Sequence, residues 1–228
     1  MFKDRSFLAI IPARSGSKRL KNKNVKLFCG KPLISYSINE SKKSNLIDKA
    51  IVTTDSLHIA NLSKKFGIEV PFLRPKKLSK DDVSSETVIE HSLKYFVKKK
   101  IFFDYFVLLQ PTSPIRFYKD IDNAIKKIIN SGSESLVSVT NKKKGKIIYY
   151  DQTKNIFKRI PQRKKSLIQY NENGSIYICK TELFLKSKIL IGNSNSVPFL
   201  MPNYKYFDID NISEFKSAEK KYYSIRKK

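Results

Sequence analysis

The sequence contains few of the residues that build disulfide frameworks, zinc sites or membrane spans. Only 2 of its 228 residues are cysteines and only 2 are histidines. Cys29 and Cys179 lie far apart and form no Cys-x-x-Cys motif, which excludes a disulfide scaffold and a zinc site. No apolar run approaches the ~18–20 residues needed to span a bilayer, and the N-terminus has no signal-peptide pattern. We therefore expect a cytoplasmic protein without membrane insertion.

Acidic residues are also scarce. The chain has 20 Asp and Glu residues against 46 Lys and Arg residues, which gives a formal net charge of +26. Such a charge attracts nucleic acid, anionic membrane or an anionic small substrate. The lysines are spread along the whole chain, and no aromatic and basic nucleic-acid-binding module is recognisable. A compositional bias toward lysine accounts for the charge, and a nucleic-acid-binding protein is the more distant alternative.

Short apolar runs alternate with helical patterns. Strands are predicted at 7–11, 50–54, 68–72, 103–109, 135–140, 174–178 and 204–210. Helices are predicted from Pro32 onward and at 56–66, 86–100, 120–129, 182–186 and 213–226. This alternation predicts an α/β fold with a doubly wound, mostly parallel, Rossmann-like sheet. The length suits one well-cored domain, so residues 1–228 are predicted to form a single domain.

The loop after the first strand has the composition of a polyphosphate-binding loop. Small residues, Ser15 to Ser17, allow backbone amides to approach an anion. Positive charge comes from Arg14, Lys18, Arg19, Lys21 and Lys23. The loop matches neither the Walker motif nor the Gly-x-Gly-x-x-Gly motif. Its place at the carboxyl end of a strand favours ligand binding, because open α/β sheets bind ligands at that edge.

A second loop, Gln110–Arg116, follows the predicted strand 103–109. An amide, two hydroxyls and a guanidinium within this loop favour a hydroxylated, carboxylated ligand, because Arg116 can bind a carboxylate through two parallel hydrogen bonds. Between the two loops, Ser84 or Ser85 is expected to cap the helix that follows.

Asp208 and Asp210 form the most specific carboxylate pair. Residues two apart in a strand point to the same face, so both carboxylates can reach one hard cation. Mg2+ is the expected cation, with Mn2+ as the alternative. Together with the first loop, this pair suggests a metal that bridges a nucleoside triphosphate to the protein.

Residues 141–170 differ in character from the rest of the chain. Lysines between Lys142 and Lys146 precede a short strand-like segment, and a basic stretch that contains Arg163 follows it. This composition is poor core material. We interpret it as an excursion from the sheet, either a flexible arm or a hairpin that exchanges onto a second subunit.

Four segments in order resemble the acylneuraminate cytidylyltransferases, also called CMP-sialic acid synthetases, a family that includes the legionaminic and pseudaminic acid cytidylyltransferases. These segments are Ile11–Arg19 with Lys23 and Asn24, Gln110–Arg116, Glu172–Tyr177 and Asp208–Asp210. The order and spacing agree along nearly the whole chain. The resemblance implies a nucleotide-diphospho-sugar transferase-like fold and a cytidylyltransferase that joins CTP to a nine-carbon 2-keto-3-deoxy sugar acid, for lipopolysaccharide or capsule biosynthesis.

The resemblance also implies roles for individual residues. The CTP-binding residues would be Arg14, Ser17, Lys18, Lys23, Asn24, Arg74 and Ser85. The sugar-binding residues would be Gln110, Thr112, Ser113, Arg163, Asn173 and Tyr177. Tyr177 would line a pocket for an N-acyl group together with Leu190 and Ile191. The catalytic residues would be Arg14, Lys23, Asp208 and Asp210, and the two aspartates would hold the metal. A homodimer is implied, in which residues 141–170 form the dimerisation arm and Arg163 serves the partner's site.

One position departs from the family pattern. Bacterial sialic acid enzymes often carry an arginine two residues before the Asn-Gly pair, where this chain has Asn171. Legionaminic and pseudaminic acids therefore remain alternative substrates. The cytidylyltransferases for the eight-carbon acid Kdo share the fold but lack this form of the first loop, and they rank lower.

Overall fold

Strand β1 (Phe7–Pro12) lies inside the sheet, and in the computed structural model its side chains alternate between two apolar layers. The structure describes residues 1–141, 147–158, 167–191 and 195–226. Phe7, Ala9 and Ile11 face the layer of helices α1 (Leu33–Lys43), α2 (Leu57–Lys65) and α4 (Tyr118–Asn130). Leu8 and Ile10 face the layer of α3 (Ser85–Lys98) and α5 (Thr181–Ser187). A strand buried on both faces is what a doubly wound sheet requires.

The sheet is mostly parallel, as predicted. The order along its main path is β10 (Ser196–Leu200), β6 (Ser135–Thr140), β9 (Leu167–Lys180), β5 (Tyr105–Leu108), β1 and β4 (Lys49–Thr53). Strand β9 runs antiparallel to β5 and β6, and the other neighbours on this path are parallel. Strands β1, β4 and β5 therefore end at one common edge.

Two predicted strands are wrong. Residues 68–72 make only isolated parallel bridges, such as that between Ile51 and Glu69, because a short loop passes the edge of β4 without forming a continuous ladder. Residues 204–210 form the end of a 3-10 turn (Asn203–Lys205) followed by extended chain outside the sheet. Strand β10 went unpredicted. It contains Pro198, a residue typical of edge strands.

Residues around the predicted arm form a hairpin. Strands β7 (Ile147–Asp151) and β8 (Ile156–Lys158) pair with each other, and β7 also pairs with the first half of β9. Ile148, Tyr150 and Phe157 are buried against the α3 layer, so the interpretation of this stretch as poor core material is wrong for these residues. Lys142 to Lys146 and Arg163 lie outside the described residues. The role of 141–170 in dimerisation stays a prediction.

Helix α6 (Ile212–Arg226) closes the chain against α1 and a small hairpin of β2 (Leu27–Phe28) and β3 (Lys31–Pro32). Phe28 packs edge-to-face on Tyr36, Phe215 and Tyr222 at this junction. Ile209 is fully buried in the same cluster, which anchors the extended segment between its two neighbouring aspartates. No helix in the described ranges is long and apolar enough to cross a bilayer.

Candidate active site

A cleft of about 210 Å³ opens where β1 and β5 end. Three loops line it: the loop after β1, the segment from Arg74 to Val88, and the loop after β5. Eight of the predicted site residues line the cleft: Arg14, Ser17, Lys23, Asn24, Arg74, Ser85, Gln110 and Thr112. The parallel arrangement explains this convergence, because carboxyl ends of neighbouring parallel strands share one edge.

Hydrogen bonds to neighbouring segments shape the first loop. The Asp55 carboxylate, just past β4, accepts from the Ser15 backbone N–H at 3.0 Å and from the Ser15 hydroxyl at 2.7 Å. The buried Asn24 amide donates to the Arg14 carbonyl at 2.9 Å. These bonds fix both ends of the loop, from which Ser17, Lys18 and Arg19 reach the cleft linings.

Asp81 is an acidic partner of this basic loop. Arg14 and Lys18 both form ion pairs with its carboxylate, the Lys18 contact at 2.9 Å. These hydrogen bonds hold the pKa of Asp81 below its usual range. A carboxylate between the two cations shows that they can converge on one anionic group, as phosphate binding requires.

Lys23 connects the first loop to the carboxylate pair. Its Nζ donates to the Ile209 carbonyl at 2.8 Å and to Asp210 Oδ1 at 2.9 Å. Arg19 contacts the other Asp210 oxygen at 3.0 Å. A second cleft, of about 370 Å³, is lined by these side chains and shares Arg14, Ser17, Lys23 and Asp81 with the first. The two clefts therefore adjoin at the first loop.

Asp208 and Asp210 are the two carboxylates that could hold a hard cation. Asp208 is exposed and Asp210 is half-buried, on either side of the fully buried Ile209. Surrounding protein raises the pKa of Asp208, and a hydrogen bond with Thr112 opposes that rise. No cluster of three or more His, Cys, Asp or Glu residues occurs among the described residues. Two carboxylates suit Mg2+, which keeps water and phosphate oxygens as its other ligands.

Arg74 and Ser85 line the cleft together with the first loop. Arg74 is buried, its backbone N–H donates to the Thr54 carbonyl, and its Nε donates to Ser79 at 2.9 Å. Burial lowers the pKa of Arg74. Ser84 caps α3, because its hydroxyl accepts from the Thr87 N–H. The predicted choice between Ser84 and Ser85 is thus resolved, and Ser85 lines the cleft.

The second loop meets strand β9 at a turn around Gly174. Gly174 has a φ of +70°, and a Cβ there would stand 3.2 Å from Gln110 Oε1 and 3.3 Å from Ser113 Oγ. The Ser113 hydroxyl donates to the Asn173 carbonyl at 3.4 Å. The Asn173 Oδ1 accepts from Ser138 and from the Ser175 N–H. The buried Asn173 Nδ2 has no partner among the described residues, and Asn173 is not among the residues that line the two clefts.

Arg116 is a correction to the sequence analysis. We expected its guanidinium to face a carboxylated ligand, yet the side chain is only 1% exposed and bonds to its own chain. Its neighbours in the loop, Gln110 and Thr112, line the cleft. A turn with two prolines rotates Arg116 away from the cleft and into the protein, which residue composition alone does not reveal.

The N-acyl pocket residues lie elsewhere in the structure. Tyr177 and Leu190 are buried in the apolar layer of α3, with Ile191 packed against it. The Tyr177 hydroxyl donates to Glu172 at 3.3 Å. Tyr177 lies on β9 and the other two follow α5, and all three are outside the cleft linings described above. Their contact with a sugar stays a prediction.

Sequence reasoning missed three supporting residues. Asp55, Asp81 and Ser138 hold the first loop, the basic pair and Asn173 respectively. Each belongs to a different segment from the residue it contacts, so no spacing in the sequence signals the pair. A larger cavity, of about 620 Å³ beside Asp104 and Lys180 at the opposite end of β5, contains none of the predicted site residues.

The fold and the cleft together define a class of protein: an α/β protein with a basic loop at the carboxyl edge of its sheet. The chain belongs to the cytidylyltransferase family, because the family model described as cytidylyltransferase matches residues 8–227.

Curated relatives share this assignment. The chain is 36% identical over 224 residues to the CMP-N,N'-diacetyllegionaminic acid synthase of Legionella pneumophila, covering 93% of this chain and 94% of the relative. It is 30% identical to the pseudaminic acid cytidylyltransferase of Campylobacter jejuni, covering 93% and 94%. It is 33% identical to the N-acylneuraminate cytidylyltransferase of Escherichia coli, covering 92% of this chain and 51% of that longer relative.

Solved structures confirm the fold. A CMP:2-keto-3-deoxy-manno-octonic acid synthetase complexed with CTP superposes with a TM-score of 0.75 at 15% identity, covering 96% of this chain and 99% of that one. A 4-diphosphocytidyl-2C-methyl-D-erythritol synthase from Anaerococcus prevotii gives 0.64 at 12% identity, covering 96% of both chains. At these identities the likeness establishes the fold alone.

Proposed function

We propose that this protein joins CTP to a nine-carbon 2-keto-3-deoxy sugar acid of the N-acylneuraminate type, giving the CMP-sugar and pyrophosphate for cell-surface glycan biosynthesis. One observation carries the proposal: the basic first loop, the Gln110 loop and the Asp208 and Asp210 pair converge at one edge of the sheet. The family membership and the names of the relatives support the reaction class.

The nucleotide would bind along the first loop. Arg14 and Lys18 already converge on one carboxylate, so a phosphate group with more negative charge and more acceptor oxygens would compete for the same donors. Ser17 lies in both clefts and would donate to phosphate oxygens. Ser85 and Arg74 face this loop and would contact the nucleoside end.

The reaction breaks one P–O bond and forms another. The anomeric hydroxyl of the sugar attacks the α-phosphorus of CTP, loses its proton, and displaces pyrophosphate. Lys23 is held where the first loop meets Asp210, and its ammonium would neutralise charge that develops on the phosphates. Because Lys23 is only 13% exposed, this attraction acts in surroundings with little water to screen it.

We propose that Asp208 and Asp210 hold Mg2+, with Mn2+ as an alternative. When bound, the cation supplies positive charge to the phosphates and helps to orient them. The two carboxylates provide oxygen ligands on an exposed segment beside Lys23. The deprotonated form of each carboxyl would bind the metal, so the raised pKa of Asp208 favours metal binding at neutral rather than acidic pH.

The sugar acid would lie between the Gln110 loop and the Asn173 turn. Gln110 and Thr112 line the cleft, and Gly174 of the turn lies directly against Gln110 and Ser113. Asn171 stands where sialic acid enzymes often carry arginine, and it is buried in β9. Legionaminic and pseudaminic acids are therefore the alternative substrates, and relatives for all three acids match this chain at 30–36% identity.

Pyrophosphate release tests this proposal. The protein is incubated with Mg2+, each of the four nucleoside triphosphates, and N-acetylneuraminic, legionaminic, pseudaminic and Kdo acids. We expect release only with CTP and one nine-carbon acid. Pyrophosphate release with Kdo alone, or no release from folded protein with any combination, contradicts the proposed substrate class.

We also propose that the protein is a homodimer in which residues 141–170 reach the neighbouring site and Arg163 contacts the sugar there. Arg163→Ala and Asp210→Asn subunits should each be nearly inactive as homodimers. Mixed subunits should regain up to about one quarter of the wild-type rate, because a hybrid dimer has one site with both residues intact. Size-exclusion chromatography checks the assembly, and absence of rescue in confirmed hybrid dimers contradicts the arm.

Gly174 offers a test of the sugar-binding turn. Gly174→Ala should cost about 1–2 kcal/mol of unfolding free energy from its positive φ, and its Cβ should also displace Gln110 and Ser113 and raise the KM for the sugar acid. Gly132→Ala is the matched control, since Gly132 has a φ of +63° and no atom within 4 Å of the added Cβ. Urea unfolding and steady-state kinetics provide the two readouts, and equal kinetics for both variants would refute the assignment.

A further inference from the structure

Arg116 is a buried cation without access to a ligand. Its side chain is 1% exposed, and it is the largest of the fully buried side chains in the described part of the protein. Burial lowers its pKa to about 10, with Glu40 and Asp120 opposing the change, so the group stays charged at neutral pH. Burying a charged guanidinium is costly unless its donors are satisfied. Its hydrogen bonds therefore indicate what the side chain does.

Those bonds join two segments of the proposed sugar site. Arg116 Nη1 donates to the Ser175 carbonyl at 2.7 Å and, more weakly, to the Gln110 carbonyl at 3.4 Å. Nη2 donates to the Ser37 hydroxyl on α1 at 2.7 Å. One side chain thus connects the loop after β5, the turn in β9 and the helix behind them.

Ladder hydrogen bonds from the neighbouring strands do not hold the turn around Gly174. Pairing between β5 and β9 ends at Leu108 and Tyr177. On the other side, the β6 and β9 register passes from Val137 opposite Tyr177 to Val139 opposite Glu172, so Ser138 alone faces residues 173–176. This bulge contains Asn173 and Gly174. Its N–H groups bond to side chains instead of a ladder, that of Ser175 to Asn173 Oδ1 and that of Ile176 to Ser138 Oγ.

We propose that Arg116 is a positioning residue that replaces the missing ladder and holds the Asn173 turn against Gln110. The expected change in KM for the sugar acid rests on the proposed function, whereas the role of Arg116 in holding the turn does not depend on the substrate. Ser138 fixes the turn from β6, and Arg116 fixes it from the β5 side. Loss of the guanidinium would leave the Ser175 carbonyl unpaired and let the two sugar-binding segments separate.

Two variants and one control test the inference. Arg116→Lys keeps the charge but loses the forked geometry, and Arg116→Met removes both. Lys49→Met is the control, because it breaks a partly buried ion pair, with Glu69, at the start of β4, which two strands separate from β9. Hydrogen exchange of the peptide that contains residues 173–176 reports the turn directly. Steady-state kinetics report KM for CTP and for the sugar acid separately.

We expect exchange at 173–176 to rise about tenfold or more in the Arg116 variants, and the KM for the sugar acid to rise about 10- to 100-fold, while KM for CTP stays within about twofold. Lys49→Met should lower the melting temperature, as we expect for the Arg116 variants, without either of these changes. If Arg116→Met does not fold, Arg116→Lys decides. If the wild-type protein accepts no nine-carbon acid, a rise in exchange in the Arg116 variants still supports the positioning role, and only the proposed substrate is overturned. Unchanged exchange, or equal rises in both KM values, overturns the inference.

Discussion

Asp210→Asn should lower kcat by about 10²- to 10³-fold, the loss typical of removing one preorganised electrostatic contact from an active site. Asp210 receives Lys23 at 2.9 Å and Arg19 at 3.0 Å, and it is one of only two carboxylates proposed to hold the metal. Asparagine keeps the shape of the side chain but removes its negative charge. Lys23 and Arg19 therefore lose their anionic partner, and the proposed metal loses a charged ligand. The rate is measured at saturating CTP and sugar acid over a range of Mg2+ concentrations, where the half-saturating Mg2+ concentration should also rise.

The fold should survive this substitution. Asp210 is 32% exposed, and the apolar anchor of its segment is the neighbouring Ile209. The control is Glu182→Gln, which neutralises a carboxylate paired with Lys186 on α5 and should leave the rate unchanged. Circular dichroism should show both variants folded. A near-normal rate for Asp210→Asn would remove this residue from the metal assignment.

Lys23→Met should lower kcat by a similar factor, about 10²- to 10³-fold, with a smaller effect on KM for CTP. Methionine preserves the apolar stem but not the ammonium, which donates to Asp210 and to the Ile209 carbonyl. The loss falls mainly on kcat because the charge on the phosphates increases as the P–O bond breaks. Single-turnover measurements, with CTP in excess and the sugar acid at a lower concentration than the enzyme, isolate this step from product release.

A control variant separates the role of Lys23 from the effect of the net charge. Lys126→Met on α4 lowers the formal charge of +26 by the same amount at an exposed position away from the cleft. It should alter neither kinetic constant at physiological salt, because exposed charges beyond about 8 Å are largely screened. Similar losses in both variants would mean that the general positive field, and not Lys23 itself, promotes the reaction.

Local patterns were sufficient for most helices and strands. Strands such as β1 and β6 are short runs of apolar or branched residues, and helices such as α2 and α3 carry capping serines, so each is encoded by neighbours in the chain. The two wrong strands illustrate the limit. Residues 68–72 and 204–210 have strand-like composition, but a strand exists only when a partner is available along its length.

The sequence by itself determined the family, the alternation of strands and helices, and the segments that would carry the site, because these depend on residue types at fixed spacing. Tertiary structure decided which side chains face the cleft. Arg116 and Thr112 share one loop, yet only Thr112 lines the cleft while Arg116 turns inward to hold the β9 bulge. The tertiary structure also placed Asp81 beside Arg14 and Lys23 beside Asp210. Such contacts join residues distant in sequence, and only packing of the whole chain fixes them.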